Sequence, residues 1–237
     1  MTEIFKLNAI GYVRSGFREK FAVPRQPGLV KSMTSTIEML PDFSRPDAYR
    51  ALEQFSHIWV IFLFHQSLGK QWHDTVRPPR LGGNARVGVF ASRSPFRPNP
   101  VGISAVELLD VEFAGDTCRL HIRGADLIDG TPVLDIKPYL PYSDSVNAKS
   151  GFAQVPEPTM LVEFTQEALD RLVEKEKQIG QPLKKILQEI LSLDPRPAYQ
   201  SGADGQAEYG FRLFDFNIRF RVDGNRITVS QLEPLDE

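Results

Sequence analysis

The spacing of apolar residues divides the chain into two parts. In residues 1–156 the apolar runs are short and lie between loops rich in Pro, Gly and Arg, a pattern typical of strands. Residues 56–65 (SHIWVIFLFH) predict a strand buried on both faces, and residues 118–123 (CRLHIR) alternate as in a half-buried strand. Further strands are predicted within residues 4–13, 85–91, 103–113 and 133–136, and one short helix at 46–55. Several short strands with few helices favour a barrel or a sandwich.

The pattern changes after residues 150–158, which have the composition of a linker. Residues 165–193 predict two helices, with Thr165 as the first N-cap and Gly180-Gln181-Pro182 between them. Residues 169, 172 and 173 are expected to share one face of the first helix. Residues 210–222 and 226–232 predict a hairpin around Asp223-Gly224-Asn225. Residues 157–237 therefore predict a small α+β domain.

Composition and charge narrow the function classes only slightly. The net charge of −2 gives no reason to expect nucleic acid, but residues 1–156 carry 18 Lys and Arg against 15 Asp and Glu, so any polyanion partner is expected at this part. Cys118 is the single cysteine, which excludes an internal disulfide and a thiolate zinc site. The N-terminus has no signal-peptide pattern and no apolar run could span a membrane, so a cytoplasmic protein is expected.

Residues 77–97 contain five arginines and no acid, namely Arg77, Arg80, Arg86, Arg93 and Arg97. A solubilising surface loop is one interpretation. A site for RNA phosphate or a cofactor carboxylate is favoured, because guanidinium groups bind both bidentately. Within residues 94–100 (SPFRPNP) the alternating prolines exclude a helix or a central strand, so the segment is either a rigid connector or a loop that preorganises Arg97 and Asn99. Asn99 could donate to and accept from an adenine.

Other candidate residues lie elsewhere in the chain. Pro24-Arg25-Gln26 is a second proline-clamped polar loop, and Arg196 lies in a third. His65 and Gln66 end the predicted strand 56–65, where side chains reach a barrel mouth. Asp126 and Asp129 follow strand 118–123 and could cap a turn, hold ribose hydroxyls or act as a base. The histidines show no metal-ligand spacing, so no metal is expected, and the motifs of P-loop, Rossmann and α/β-hydrolase proteins are missing.

Taken in order, several fragments resemble the TsaA-like family, whose bacterial members are called TrmO. They are residues 21–29 (FAVPRQPGL), 81–86 (LGGNAR), 93–100 (RSPFRPNP), 129–132 (DGTP), 194–199 (DPRPAY) and 215–217 (DFN). The resemblance spans nearly the whole chain, and the RSPFRPNP loop is its most specific part. One departure is Gly16, where relatives often have proline.

The resemblance implies an S-adenosylmethionine-dependent methyltransferase that acts on N6 of N6-threonylcarbamoyladenosine, next to the anticodon of threonine tRNA. It implies a mainly β protein with a single-sheet β-barrel at residues 1–156, a C-terminal domain at 157–237 that assists tRNA binding, and a homodimer. The family's cofactor site transfers onto Pro24, Arg25, Gln26, His65, Gln66, Arg93, Ile103, Gly124, Ala125, Asp126 and Leu127.

The roles of individual residues stay open at this point. Arg93 could pair with the methionine carboxylate, and Asp126 could hold the ribose hydroxyls. The proton on N6 could leave to Asp126, to Asp129 or to the substrate's own carboxylate, while Arg97 or Asn99 orients the base. Arg77, Arg80, Arg86, Arg97 and Arg196 are the candidate RNA contacts. The competing interpretations are a non-catalytic RNA- or nucleotide-binding barrel and an enzyme for a carboxylated small molecule.

Overall fold

The N-terminal part forms a closed barrel in a computed structural model that describes residues 3–78, 81, 85–153, 160–196 and 208–235. Six antiparallel strands close it in the order β1-β2-β7-β6-β3-β8. They are β1 (Gly11–Arg14), β2 (Thr34–Met39), β3 (His57–Leu63), β6 (Val101–Ala114), β7 (Thr117–Arg123) and β8 (Pro132–Pro138). A small ribbon, β4 (Thr75–Val76) with β5 (Val87–Gly88), projects from the β3–β6 connection. The predicted barrel is confirmed.

Alternation of inward and outward side chains builds the barrel interior. In β7, Cys118, Leu120 and Ile122 are fully buried while Arg119, His121 and Arg123 face outward. The interior is completed by apolar side chains from the neighbouring strands, including Val13, Ile37, Ile58, Val60 and Val106. The prediction that residues 56–65 are buried on both faces was wrong, since β3 alternates between buried and partly exposed residues. A barrel wall has only one buried face, so its strands alternate.

Some predicted elements differ from the observed ones. Residues 46–55 form two short 3-10 turns, Pro46–Tyr49 and Leu52–Gln54, rather than a helix, because Ala51 between them has a positive φ of 70°. Of the predicted strand 85–91 only Val87–Gly88 is a strand, and a 3-10 turn at Val89–Ala91 follows it. Within residues 4–13 the strand begins at Gly11. Strand β2 was not predicted, because TSTIEM has few apolar residues.

The C-terminal part is a four-stranded sheet covered by two helices. The sheet order is β10-β11-β12-β9, with β9 parallel to β12. The elements are β9 (Leu161–Phe164), α2 (Gln166–Ile179), α3 (Leu183–Ser192), β10 (Glu208–Leu213), β11 (Phe216–Asp223) and β12 (Arg226–Pro234), and a short helix α1 (Pro141–Asp144) precedes them. Thr165 caps α2 by accepting from the Ala168 amide, as predicted.

Two expectations for this part need correction. Residues 210–222 belong to two strands, β10 and β11, because the chain turns at Phe214, whose φ is +54°. The predicted hairpin is β11–β12, with Asp223 opposite Arg226. Val173 does not share the buried face of α2, since its side chain is 55% exposed whereas Leu172 is buried. The boundary proposed near residue 157 lies outside the described residues.

The long β1–β2 loop, residues 15–33, packs into the C-terminal part. Phe17, Ala22, Val30 and Met33 are buried in the same apolar core as the side chains of α2, α3 and the C-terminal sheet. Polar contacts reinforce this packing: the amide and hydroxyl of Ser32 both donate to Glu189 on α3, each at 2.9 Å. The C-terminal part therefore sets the conformation of this loop.

Within the part of the chain that the structure describes, no helix has the length and apolar character to span a membrane. In the same residues, no cluster of three or more His, Cys, Asp or Glu side chains could hold a metal ion.

Candidate active site

Asp126 and Ser104 form a polar pair at one end of the barrel. Ser104 lies on β6 and is only 2% exposed, because its side chain points inward like that of Val106. Its hydroxyl donates to Asp126 Oδ1 at 2.6 Å. Asp126 follows Gly124, whose φ of +73° turns the chain at the end of β7. A strand end and an adjacent turn thus place a buried carboxylate in the barrel mouth.

Burial changes the acidity of this carboxylate. Desolvation raises the pKa of Asp126 to about 6, and it outweighs the opposing effects of the Ser104 hydrogen bond and the positive charge of Arg93. At neutral pH the group is therefore largely ionised, although close to its titration range. A buried carboxylate of this kind gains from hydroxyl donors supplied by a ligand.

Arg93 and Gln26 join two of the loops around this mouth. The guanidinium of Arg93 donates to Gln26 Oε1 at 2.5 Å, across 67 residues of sequence. The same β1–β2 loop is tied to the Asp126 turn, because the Gly28 amide donates to the Gly124 carbonyl at 2.8 Å. A Cβ on Gly124 would lie 3.4 Å from the Gly28 Cα, so the two backbones pack closely. The structure thus brings three separate predicted segments, at 24–26, 93 and 124–127, into one cluster.

His65 and Gln66 join this end of the barrel from β3. They begin a 3-10 turn, His65–Ser67, and the preceding Phe64 amide donates to the Pro100 carbonyl at 2.8 Å. Burial lowers the pKa of His65, and the positive charge of Lys20 on the β1–β2 loop lowers it further. His65 is therefore a neutral imidazole at neutral pH.

The remaining predicted cofactor residues are Ala125, Leu127, Ile103, Pro24 and Arg25. Ala125 and Leu127 bury their side chains in the barrel core, so only their backbone groups are available to a ligand. Ile103 precedes Ser104 on β6 and consequently points outward, with 49% of its side chain exposed. Pro24 and Arg25 lie on the loop that Gln26 occupies, and the Arg25 carbonyl accepts from Gln26 Nε2.

Asp129 does not belong to this cluster. It accepts from the Ser15 amide at 3.0 Å and from the Arg18 guanidinium at 2.5 Å. It lines a cavity of about 650 Å³ between the outer barrel wall and the C-terminal part, together with Arg14, His121, Gln181 and Phe214 among others. The carboxylate of Asp129 thus ties the barrel to the start of the β1–β2 loop.

Hydrogen bonds to backbone carbonyls hold the RSPFRPNP loop, residues 93–100, in shape. Arg97 donates to the Ser92 carbonyl at 3.2 Å, and the Val101 amide donates to the Asn99 carbonyl at 2.7 Å. The side chain of Asn99 is exposed, whereas that of Arg97 is partly buried. The loop therefore presents Asn99 outward and uses part of Arg97 to support its own shape.

The candidate RNA-binding arginines fall into different environments. Arg77 and Arg86 flank the β4–β5 ribbon and line a surface cavity of about 460 Å³ with His73, Asp74 and Thr75. Arg196 is only 6% exposed, binds Asp194 through two nitrogen atoms at 2.8 Å, and lies over the Tyr209 ring. Its guanidinium has a structural role in the C-terminal part. Arg80 lies outside the described residues.

Ser104 and Lys20 are residues near the site that the sequence analysis missed. Ser104 could have been noticed as a polar residue at an inward position of the predicted strand 103–113. No local pattern indicates Lys20, because its proximity to His65 depends on how the β1–β2 loop crosses the barrel end.

Comparison with known proteins identifies the relatives of both parts of the chain. The model of the tRNA-methyltransferase O N-terminal domain matches residues 12–145, and that of the TrmO C-terminal domain matches residues 157–235. A protein of Escherichia coli strain K12 named tRNA (adenine(37)-N6)-methyltransferase is 49% identical over 97% of this chain and 98% of its own length. A Pseudomonas aeruginosa protein named putative S-adenosylmethionine-dependent methyltransferase RcsF is 47% identical over 90% of this chain and 91% of its own length.

Solved structures show the same similarity in three dimensions. A crystal structure of TrmO from Pseudomonas aeruginosa superposes with a TM-score of 0.81 at 38% identity, covering 97% of this chain and 98% of its own. The match includes both parts of the chain, and the barrel carries the cluster of Gln26, Arg93 and Asp126. The chain belongs to the tRNA-methyltransferase O family.

Proposed function

We propose that this protein is an S-adenosylmethionine-dependent tRNA methyltransferase that modifies N6 of N6-threonylcarbamoyladenosine next to the anticodon of threonine tRNA. The observation that carries the proposal is the convergence of Gln26, Arg93 and Asp126 at the barrel end of a family member. The Escherichia coli relative, which is similar over nearly its full length, is named tRNA (adenine(37)-N6)-methyltransferase, and this supports methylation of N6 of a tRNA adenine.

The residues present fit S-adenosylmethionine. The buried carboxylate of Asp126 would accept from ribose hydroxyls, and Ser104 holds it in place. Arg93, already directed at Gln26, would pair with the carboxylate of the methionine part. The loop residues Pro24 and Arg25, the turn residues His65 and Gln66, and the backbone at Ile103, Gly124, Ala125 and Leu127 would complete the site. The bound cofactor supplies an electrophilic methyl group on its sulfonium, so the chemistry needs no metal.

The protein's own contribution is to orient N6 and to accept its proton. N6 of the modified base is conjugated to a carbonyl, which makes it a weak nucleophile and a stronger N–H acid. Asp129 is an unsuitable base because its carboxylate is already paired with the Arg18 guanidinium. The candidates that remain are Asp126 and the carboxylate of the substrate's threonine moiety. Asn99 is exposed on the loop that begins at Arg93, and it is the residue we expect to orient the base.

The RNA surface is proposed to follow the basic segment of the barrel domain. Arg77 and Arg86 beside the β4–β5 ribbon, together with Arg97, would contact phosphates, while Arg196 does not belong to this surface because it is buried against Asp194. Residues 1–156 would form the catalytic domain and residues 157–237 a domain that assists tRNA binding. The chain would work as a homodimer in the cytoplasm, where its tRNA substrate occurs.

The test is methylation by the purified protein. Threonine tRNA with and without the threonylcarbamoyl group is incubated with S-adenosylmethionine, and its nucleosides are analysed by mass spectrometry. We expect a gain of one methyl group on the modified adenosine only. A non-catalytic RNA-binding barrel would instead bind both tRNAs, show no heat of S-adenosylmethionine binding in calorimetry, and leave both tRNAs unchanged.

A further inference from the structure

The segment 72–97, which includes the five arginines, also exposes large aromatic side chains. Phe90 is 75% exposed, Trp72 is 42% exposed and Phe96 is 37% exposed. Phe90 lies in the 3-10 turn Val89–Ala91, in which Val89 is buried. Because Val89 anchors the turn, the backbone holds Phe90 toward solvent. An exposed phenylalanine on an anchored turn, accompanied by two further exposed aromatic side chains in the same segment, makes this surface a candidate ligand contact.

Backbone hydrogen bonds join these residues into one unit. The Val89 amide donates to the Asp74 carbonyl at 2.9 Å, and the Ser92 hydroxyl donates back to the Val89 carbonyl at 2.8 Å. The His73 amide donates to the Phe96 carbonyl at 3.4 Å, and the two rings lie 6.3 Å apart. We call Phe90, Phe96 and His73 the aromatic platform. His73 and Phe96 are joined directly, and the turn that carries Phe90 is tied to Asp74, the neighbour of His73, through the Val89 amide.

The charged side chains around the platform indicate which kind of partner it binds. Arg77 and Arg86 line the cavity beside His73, and Arg93 and Arg97 follow Phe90 in the chain. Asp74 is the one acid among the described residues of segment 72–97. Arginines interleaved with exposed aromatics are typical of surfaces that bind unpaired nucleotides, with cations on phosphates and rings on bases. A symmetric contact with a second copy would bring these arginines together and is therefore disfavoured.

We propose that the aromatic platform stacks on unpaired bases of the anticodon loop beside the adenosine to be methylated. This inference rests on the proposed tRNA substrate and adds the mode of recognition. Phe90 provides one stacking surface and Phe96 with His73 provides another, while Arg77 and Arg86 hold the phosphates between them. Stacking tolerates any base, so the platform supports affinity and leaves the choice of the modified adenosine to the site at the barrel end.

The experiment measures binding of full-length threonine tRNA carrying the modified adenosine by fluorescence anisotropy. Loss of one stacked base should weaken binding about 5- to 150-fold. Phe90→Ala and Phe90→Leu should both show this loss, whereas Phe90→Trp retains tight binding, because the effect requires a flat aromatic ring. Phe96→Ala should weaken binding similarly. Tyr142→Ala is the control, since Tyr142 is 87% exposed but lies outside the segment. Affinity for S-adenosylmethionine should be unchanged in all of them.

Two results would overturn the inference alone: wild-type tRNA affinity in both alanine variants of an active enzyme, or a halved molecular mass of Phe90→Ala in light scattering. The second result would assign the platform to contact with another copy of the chain. If the wild-type protein neither binds nor methylates the tRNA, the proposed function is refuted together with this inference.

Discussion

Replacement of Asp126 by asparagine should separate the stability of the barrel from its activity. The carboxylate lies at the barrel mouth, accepts from Ser104 at 2.6 Å, and has a pKa raised to about 6 from an ordinary value of 3.8. Asparagine has the same shape and can still accept the Ser104 hydrogen bond. The change therefore removes the ionisable group and leaves the packing in place.

The magnitude follows from the difference between the folded and unfolded pKa. The folded protein holds the proton more tightly, so this group's contribution to stability is complete below about pH 4 and declines as the pH rises through about 6. A difference of roughly two pKa units corresponds to about 3 kcal/mol. Asp126→Asn should therefore unfold with a free energy about 3 kcal/mol higher than the wild type at neutral pH, and the two proteins should converge near pH 4.

Urea titrations of both proteins between about pH 4 and about pH 8 measure this difference. The control is Asp116→Asn, an exposed carboxylate in the turn between β6 and β7, where a surface substitution should change the free energy of unfolding by less than about 0.5 kcal/mol. In calorimetry Asp126→Asn should lose about 10- to 100-fold in affinity for S-adenosylmethionine, because a charged acceptor is lost. A variant less stable than the wild type at neutral pH, or one with wild-type cofactor affinity, would refute the reasoning.

Three further substitutions test how the site is supported. Ser104→Ala removes the hydrogen bond that lowers the pKa of Asp126. Cofactor affinity should therefore fall about tenfold, and its pH dependence should shift to higher pH. A pH profile in calorimetry identical to that of the wild type would contradict this role of Ser104. Glu189→Ala removes the acceptor of two hydrogen bonds from Ser32 and so loosens the β1–β2 loop, which should weaken cofactor binding several-fold although Glu189 lies outside the site. Gln188→Ala, an exposed neighbour on α3, should leave cofactor binding unchanged. Gly102→Ala would place a Cβ 2.3 Å from the buried ring of Phe62 on β3, so it should lower the free energy of unfolding by about 1–3 kcal/mol. Gly88→Ala is the control, because the space around its Cβ position is open. Equal melting temperatures of the two variants would argue against the close packing at Gly102.

The elements predicted from the sequence were right where a local pattern decides the conformation. The alternation in residues 118–123 matches β7, and Thr165 with Gly180 defines the ends of α2. Predictions failed where neighbours decide. Residues 46–55 became 3-10 turns around the positive φ of Ala51, and the polar strand β2 forms because it pairs with β1 and β7. Hydrogen bonds from both neighbours stabilise a strand whose own residues give no clear pattern.

The chemistry of the loops follows from local residue types alone. The prolines around Arg25, Gln26, Arg97 and Asn99, and the arginines between residues 77 and 97, are local features, since prolines restrict the backbone wherever they occur. Which of these groups come into contact depends on the folded chain. Gln26 joins Arg93 across 67 residues because the C-terminal core holds the β1–β2 loop. Closure of the barrel buries Asp126 beside Ser104 and so determines its acidity, because desolvation depends on every element that surrounds the carboxylate.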